Sequence, residues 1–129
     1  MAFEEVGTRL VVFLTEDDRA GHIAVHEALL ERAREDGMAG ATLWRGIEGF
    51  GSSGRLRTTR FPDMASGLPV AVEVIDLPER VESFLSAVNE FAPGALVTRE
   101  QVVMTRLGRP APAALDDPGP PRSQRTRHA

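Results

Sequence analysis

Leu68-Pro-Val-Ala-Val-Glu-Val-Ile-Asp-Leu-Pro-Glu79 changes its period in the middle. Up to Ile75 it is a β-branched, apolar run broken only by Glu73, the pattern of a strand over 68–75. Asp76-Leu-Pro-Glu79 then supplies the acid, the proline and the glutamate three residues on that open a helix. Val81, Phe84, Leu85 and Val88 follow at i, i+3, i+4 and i+7, so the spacing predicts a helix that stops near Phe91-Ala-Pro-Gly94. A strand thus runs straight into an amphipathic helix.

The same alternation recurs on either side. Arg9-Leu-Val-Val-Phe-Leu14 reads as a buried strand, and Thr15-Glu-Asp-Asp-Arg-Ala-Gly21 as a polar turn whose acids suit a helix start. Positions 22, 26, 29, 30 and 33 recur at helical spacing from His22 to Asp36, and Gly37 stops that helix. Ala41 to Ile47 reads as a second strand, Glu48 to Gly67 as a long loop, and Ala95 to Arg106 as a fourth strand. The order β-α-β-β-α-β is the ferredoxin-like, α+β arrangement, two helices over one face of a four-stranded antiparallel sheet. Strands this apolar cannot leave the other face open to water, so oligomerisation through the sheet is expected.

Composition narrows the chemistry. A chain of 129 residues suits one domain. It divides by sequence into an N-terminal extension (1–7), a domain (8–107) and a Pro- and Arg-rich tail (108–129) expected to be disordered. There is no cysteine, which excludes disulfides, cysteine zinc sites, iron–sulfur clusters and thiol nucleophiles. All 15 basic residues are arginine, and tyrosine is absent, which removes lysine Schiff bases and tyrosine acids. Residues 1–107 hold 11 arginines against 17 acids, an acidic body that argues against nucleic acid as a partner. No apolar run reaches the ~20 residues of a membrane helix, and Met1 to Gly7 lacks a secretory pattern, so a cytoplasmic location is expected.

The densest chemical signal lies in the 48–67 loop. Gly49-Phe-Gly51-Ser-Ser-Gly54 has the spacing of a dinucleotide fingerprint, but Arg55-Leu-Arg-Thr-Thr-Arg-Phe-Pro62 follows where a helix would have to open. The nucleotide-fold reading fails there. What survives is physical: glycines allow backbone N–H groups to converge on one anion, and Arg45, Arg55, Arg57 and Arg60 flank them. Guanidinium groups match phosphate oxygens in pairs. The plain alternative is a solvated loop whose arginines pair with the acids of the body.

Other groups carry weaker signals. His22 and His26, four apart on the expected first helix, have a spacing compatible with metal, yet the same face carries Leu29, Leu30 and Ala33. Glu16-Asp17-Asp18 suits a hard cation or, more simply, a helix-opening turn. Ser52, Ser53, Ser66 and Ser83 lack the context of a nucleophile. Glu73 stands on the opposite strand face from Val72 and Val74, as a solvated group, an interface group or a base without a catalytic partner.

Gly37-Met-Ala-Gly-Ala-Thr-Leu-Trp-Arg-Gly-Ile-Glu-Gly-Phe-Gly51, with Thr15-Glu-Asp-Asp18 before it and Leu68 to Asp76 after it, resembles the PII-like domain-of-unknown-function family of bacteria. The likeness covers about residues 8–107. It implies a homotrimer similar to nitrogen-regulatory PII proteins and to the metal-responsive CutA family. It also implies a non-catalytic regulator that takes a small anionic effector, an adenine nucleotide, in clefts between subunits, with no resident cofactor. By that resemblance Gly40 and Thr42 lie near the adenine, Gly49 and Gly51 line the phosphates, Glu73 and Ile75 belong to the strand that meets the base, and Arg106 closes the last strand. Members are linked to fluoride-exporting channels, which implies a membrane channel or transporter as the regulated partner. The alternative is a CutA-like trimer that responds to divalent metal through His22 and His26.

Overall fold

The computed structural model describes residues 3–108, with side chains from Glu4 onward. Most of the chain, residues 6–103, forms one compact unit; the outer ends of the first and last strands, residues 3–5 and 104–106, belong to a second, small unit. The elements are β1 (Phe3–Thr15), β2 (Arg19–Ala20), β3 (Ile23–Ala24), α1 (Val25–Glu35), β4 (Gly40–Arg45), β5 (Glu48–Gly49), β6 (Arg57–Thr58), a short 3-10 turn (Pro62–Met64), β7 (Pro69–Asp76), α2 (Pro78–Phe91) and β8 (Leu96–Arg106). The main sheet has the order β4-β7-β1-β8. The expected ferredoxin-like architecture is therefore present, with three additions that the spacing does not predict.

Strand alternation sets the two faces of the sheet. Leu10, Val12 and Leu14 of β1 and Val70, Val72 and Val74 of β7 point toward the helices, where Val25, Leu29, Ala33, Val81, Phe84 and Val88 complete the core. Phe84 is 1% exposed and the largest side chain buried to that degree. The register places Gly40, Thr42 and Trp44 of β4 opposite Ile75, Glu73 and Ala71 of β7. It places Arg9, Val11 and Phe13 of β1 opposite the same three β7 residues. These nine residues form the face away from the helices, on which Phe13 and Trp44 are 46% and 59% exposed.

The first helix departs from its expected limits. It starts at Val25, not His22, because Ala20 pairs with Ile23 and closes a two-residue turn at Gly21-His22. Gly21 sits at φ +67°, which a side chain would strain. The acids ahead of it therefore open no helix: Asp18 accepts a hydrogen bond from Thr15 N at 2.8 Å, while its own carbonyl accepts from Val25 N at 2.8 Å.

Asp76 likewise does not cap α2. Its carboxylate, 5% exposed as a residue, accepts from Leu77 N at 2.7 Å, from Ala39 N at 2.9 Å and from Arg80 Nε at 3.0 Å. Arg80 in turn donates to the carbonyls of Asp36 and Gly37 at 2.7 and 3.0 Å. One buried carboxylate thus ties the end of β7, the start of α2 and the turn after α1 together. Burial raises its pKa, but the two amides and the guanidinium outweigh burial and hold it below the usual aspartate value.

The 48–67 segment is not the featureless loop expected. Glu48 and Gly49 pair with Thr58 and Arg57 in a short hairpin that turns through Gly54, whose φ is +72°. Thr58 is fully buried and its hydroxyl donates to Glu48 Oε1 at 2.8 Å, as does Arg60 Nε at 2.8 Å. The Thr58 hydroxyl first, then Arg60, holds the Glu48 carboxyl below its ordinary range. β1 also begins earlier than Arg9, at Phe3, so part of the expected 1–7 extension is strand. The expected tail from residue 109 lies outside the described residues.

Candidate functional site

The antiparallel pairing of β1 with β7 brings Thr15 opposite Pro69. The acidic turn that follows β1 must then lie beside the residues that precede β7. Glu16 makes that joint: its N–H donates to Leu68 O at 3.0 Å, and its side chain accepts from Leu68 N at 3.1 Å and pairs with Arg45 at 3.0 Å. Arg45 ends β4 and Leu68 stands just before β7, so one glutamate fastens both ends of the connection that carries the hairpin.

Asp17, the next residue, reaches over Gly67. A Cβ at Gly67 would meet Asp17 Oδ2, the movable end of a side chain, and lie 3.8 Å from Arg57 Nε; the φ of +68° is what favours glycine here. Around this point lies a hollow of about 80 Å³ formed by the β1–β2 turn, the hairpin and the residue before β7. Gly49, Gly51, Arg55 and Arg57 line it with Thr15, Asp17 and Ser53. The Gly51–Gly54 turn is closed by Gly54 N donating to Gly51 O at 3.0 Å, and Ser53 Oγ accepts from Arg55 N at 3.3 Å. Among the described residues no carboxylate pairs with Arg55 or Arg57, whereas Arg45 and Arg60 are spent on Glu16 and Glu48. Two arginines without an ion-pair partner among the described residues thus line a small polar space beside a single carboxylate, Asp17, a balance of charge that suits an oxyanion.

The residues expected at the site therefore separate. Gly49, Gly51, Arg55 and Arg57 meet in the hollow. Gly40, Thr42, Glu73 and Ile75 sit together elsewhere, in adjacent register on the open sheet face. Arg45 joins neither group, and Arg106 belongs to the second unit of the chain.

Glu73 is occupied by its neighbours. Its Oε1 accepts from Trp44 Nε1 at 3.0 Å and its Oε2 from Arg9 Nε, while Arg9 also pairs with Glu100 of β8. This polar line crosses all four strands in sheet order. The Trp44 indole first, and Arg9 second, hold the Glu73 carboxyl below the ordinary glutamate value, so it is ionised and poorly suited to act as a base.

The two histidines do not share a helix face. His22 lies in the β2–β3 turn, and His26 is buried in the first turn of α1 with its Nδ1 unpartnered among the described residues. Among those residues no three His, Asp or Glu side chains are grouped to hold a metal ion. No helix among them is long and apolar enough to cross a membrane.

The sequence does not single out Thr15, and it presents Asp17 and Ser53 only as a hard-cation or helix-opening acid and as a serine without nucleophile context, not as residues of this hollow. The signal that could have found Asp17 was the strand pairing: an acid two residues beyond β1 must face a glycine two residues before β7.

Residues 7–104 match the family model DUF190, described as "Uncharacterized ACR". A UPF0166 protein of Aquifex aeolicus is 38% identical over 98 residues, covering 76% of this chain and 92% of that protein. A UPF0166 protein of Methanocaldococcus jannaschii is 27% identical over 81 residues, covering 63% and 74%. Among solved structures, CPII of Thiomonas intermedia K12 bound to ADP and bicarbonate superposes with a TM-score of 0.57 at 15% identity, over 81% of this chain and 93% of CPII. The apo form of CPII, a nitrogen regulatory PII-like protein, gives 0.56 at 13% identity, over 83% and 100%. At such identity the likeness is one of fold: the ferredoxin-like sheet and helices are arranged as in PII-like proteins.

Proposed function

The chain belongs to the DUF190 family, and we propose that it is a non-catalytic, PII-like regulatory protein that takes a small anionic ligand at the hairpin. The observation that carries this reading is the pair Arg55 and Arg57, free of carboxylate partners among the described residues and set beside the Gly49 and Gly51 backbone. In an acidic body, two arginines against the single carboxylate of Asp17 leave this hollow net positive and provide a local well for negative charge.

The size of the hollow refines the ligand. A pocket that encloses an organic ligand measures ~300 Å³ or more, and about 80 Å³ holds only an anionic group. An adenine nucleotide would place its phosphates here and rest its base on other surfaces, supplied in part by a second subunit. CPII, which shares the fold, has been solved with ADP and bicarbonate, two anions of the chemistry expected. The exposed Phe13 and Trp44 on the open sheet face support assembly through that face, as a homotrimer. Ligand binding would then fix the hairpin in one arrangement and present it to a partner, a switch of the ordering type. A membrane channel or transporter as that partner follows from the family resemblance alone.

Calorimetric titration with ADP, AMP, ATP and bicarbonate tests the reading. Binding of at least one of them, weakened about tenfold or more by Arg57→Ala, is expected, since a charge-assisted contact is worth ~1.5–3 kcal/mol. No heat from any of the four, or an affinity indifferent to Arg57→Ala, overturns it. The metal-responsive alternative is favoured by no observation here.

A further inference from the structure

The hollow contains one group that an anion site should not want. Asp17 places its carboxylate over Gly67, on the same side as Arg57 and lining the same space as Arg55. It forms no ion pair and accepts no hydrogen bond among the described residues, so its lone pairs remain available beside two arginines that are also unpaired. The three charges sum to one positive, which suits a single anion of low charge.

Resting on the anion-binding reading above, we infer that Asp17 is a specificity residue that selects oxyanions still carrying a proton. A carboxylate can only accept at neutral pH. An anion that offers acceptors alone sets lone pair against lone pair there. One with an acidic O–H donates it to Asp17 and gives its remaining oxygens to Arg57, Arg55 and the glycine amides. The class is bicarbonate or hydrogen phosphate, free or as a protonated phosphoryl group. Both come from the same recognition chemistry, a donor on one side of the anion and acceptors on the other.

Two matched pairs of probes separate the proton from size and charge. Bicarbonate and nitrate are both planar monoanions, and only bicarbonate carries O–H. Hydrogen phosphate and sulfate are both tetrahedral dianions, and only hydrogen phosphate does. Calorimetry on the full chain at pH 8 should show the protonated member of at least one pair bound about tenfold or more tighter, the loss expected when a hydrogen bond to a charged group is replaced by repulsion. The pair that shows the larger gap distinguishes a planar from a phosphoryl ligand. In Asp17→Asn, whose amide can donate, the gap should shrink to about threefold or less. Asp17 is exposed and unpartnered among the described residues, so this variant should keep its fold, which a thermal melt verifies.

If Arg57→Ala weakens the bound anion but Asp17→Asn leaves the gap intact, the assignment of Asp17 is wrong while the anion site stands. If Arg57→Ala changes nothing, the anion site itself fails, and the inference with it. Equal affinity of the wild type for both members of each pair also overturns the inference.

Discussion

Trp44 Nε1 donates to Glu73 Oε1 at 3.0 Å across the β4–β7 pair, on a sheet face otherwise lined by Phe13, Val11 and Ile75. The indole fixes one carboxylate oxygen and Arg9 the other. Glu73 is therefore held ionised in the folded chain, below the ~4.3 of an unfolded glutamate. A depressed folded pKa adds stability above the unfolded value and loses it as pH falls through the folded one. Glu73→Gln should lower Tm by a few degrees at pH 7, and the difference should close as the buffer is taken below pH 4. Melts of both proteins from pH 7 to pH 3 check this; a gap that persists in acid would show that charge is not the cause.

Asp76 should be the costliest acid to neutralise. Asp76→Asn keeps the shape but weakens the contacts to Ala39 N and Arg80, and Asp76→Ala removes them. A loss of about 2–3 kcal/mol is expected for alanine, the cost of leaving the Ala39 and Leu77 amides unsatisfied and of losing the Arg80 contact. Urea unfolding measures it. Because the folded pKa is again depressed, wild-type stability from this group is lost as pH falls below the aspartate range.

Arg45 and Arg57 should behave differently despite their proximity in sequence. Arg45 is engaged by Glu16, which keeps its bond to Leu68 N when the arginine is removed. Arg45→Ala should leave anion affinity within about threefold, against tenfold or more for Arg57→Ala, since an exposed ion pair contributes ~0.2–1 kcal/mol. Parallel titrations of the two variants decide the matter.

Phe13 and Trp44 stand exposed on the sheet face proposed as the subunit interface. Phe13→Glu adds a carboxylate opposite Ala71 and two residues from the Glu73 cluster. It should reduce the oligomer by at least one association step in sedimentation velocity while helicity by circular dichroism stays unchanged. A wild-type chain that sediments as a monomer would remove the interface.

The elements of the domain were legible where hydrophobic period and burial coincide. Val70, Val72 and Val74 alternate because one sheet face is core, and Val81, Phe84 and Val88 recur because one helix stripe is. The missed elements are those held by hydrogen bonds between a few polar residues. The β2–β3 turn displaced His22 from the helix, and buried Thr58 with Glu48 built a hairpin where glycines and arginines suggested only loop. Such bonds have no period to read.

Sequence alone carried the βαββαβ order and the gathering of glycine and arginine after the second strand, because each is a pattern among near neighbours. The polar line from Trp44 through Glu73 and Arg9 to Glu100 on the second sheet face was not legible there. Only the tertiary structure decided which charges remain free. Arg45 and Arg60 find carboxylates, Arg55 and Arg57 find none among the described residues, and Asp17 arrives from 38 positions away to share their hollow. Charge pairing depends on distances of a few ångströms between side chains, and strand register, not spacing along the chain, sets those distances.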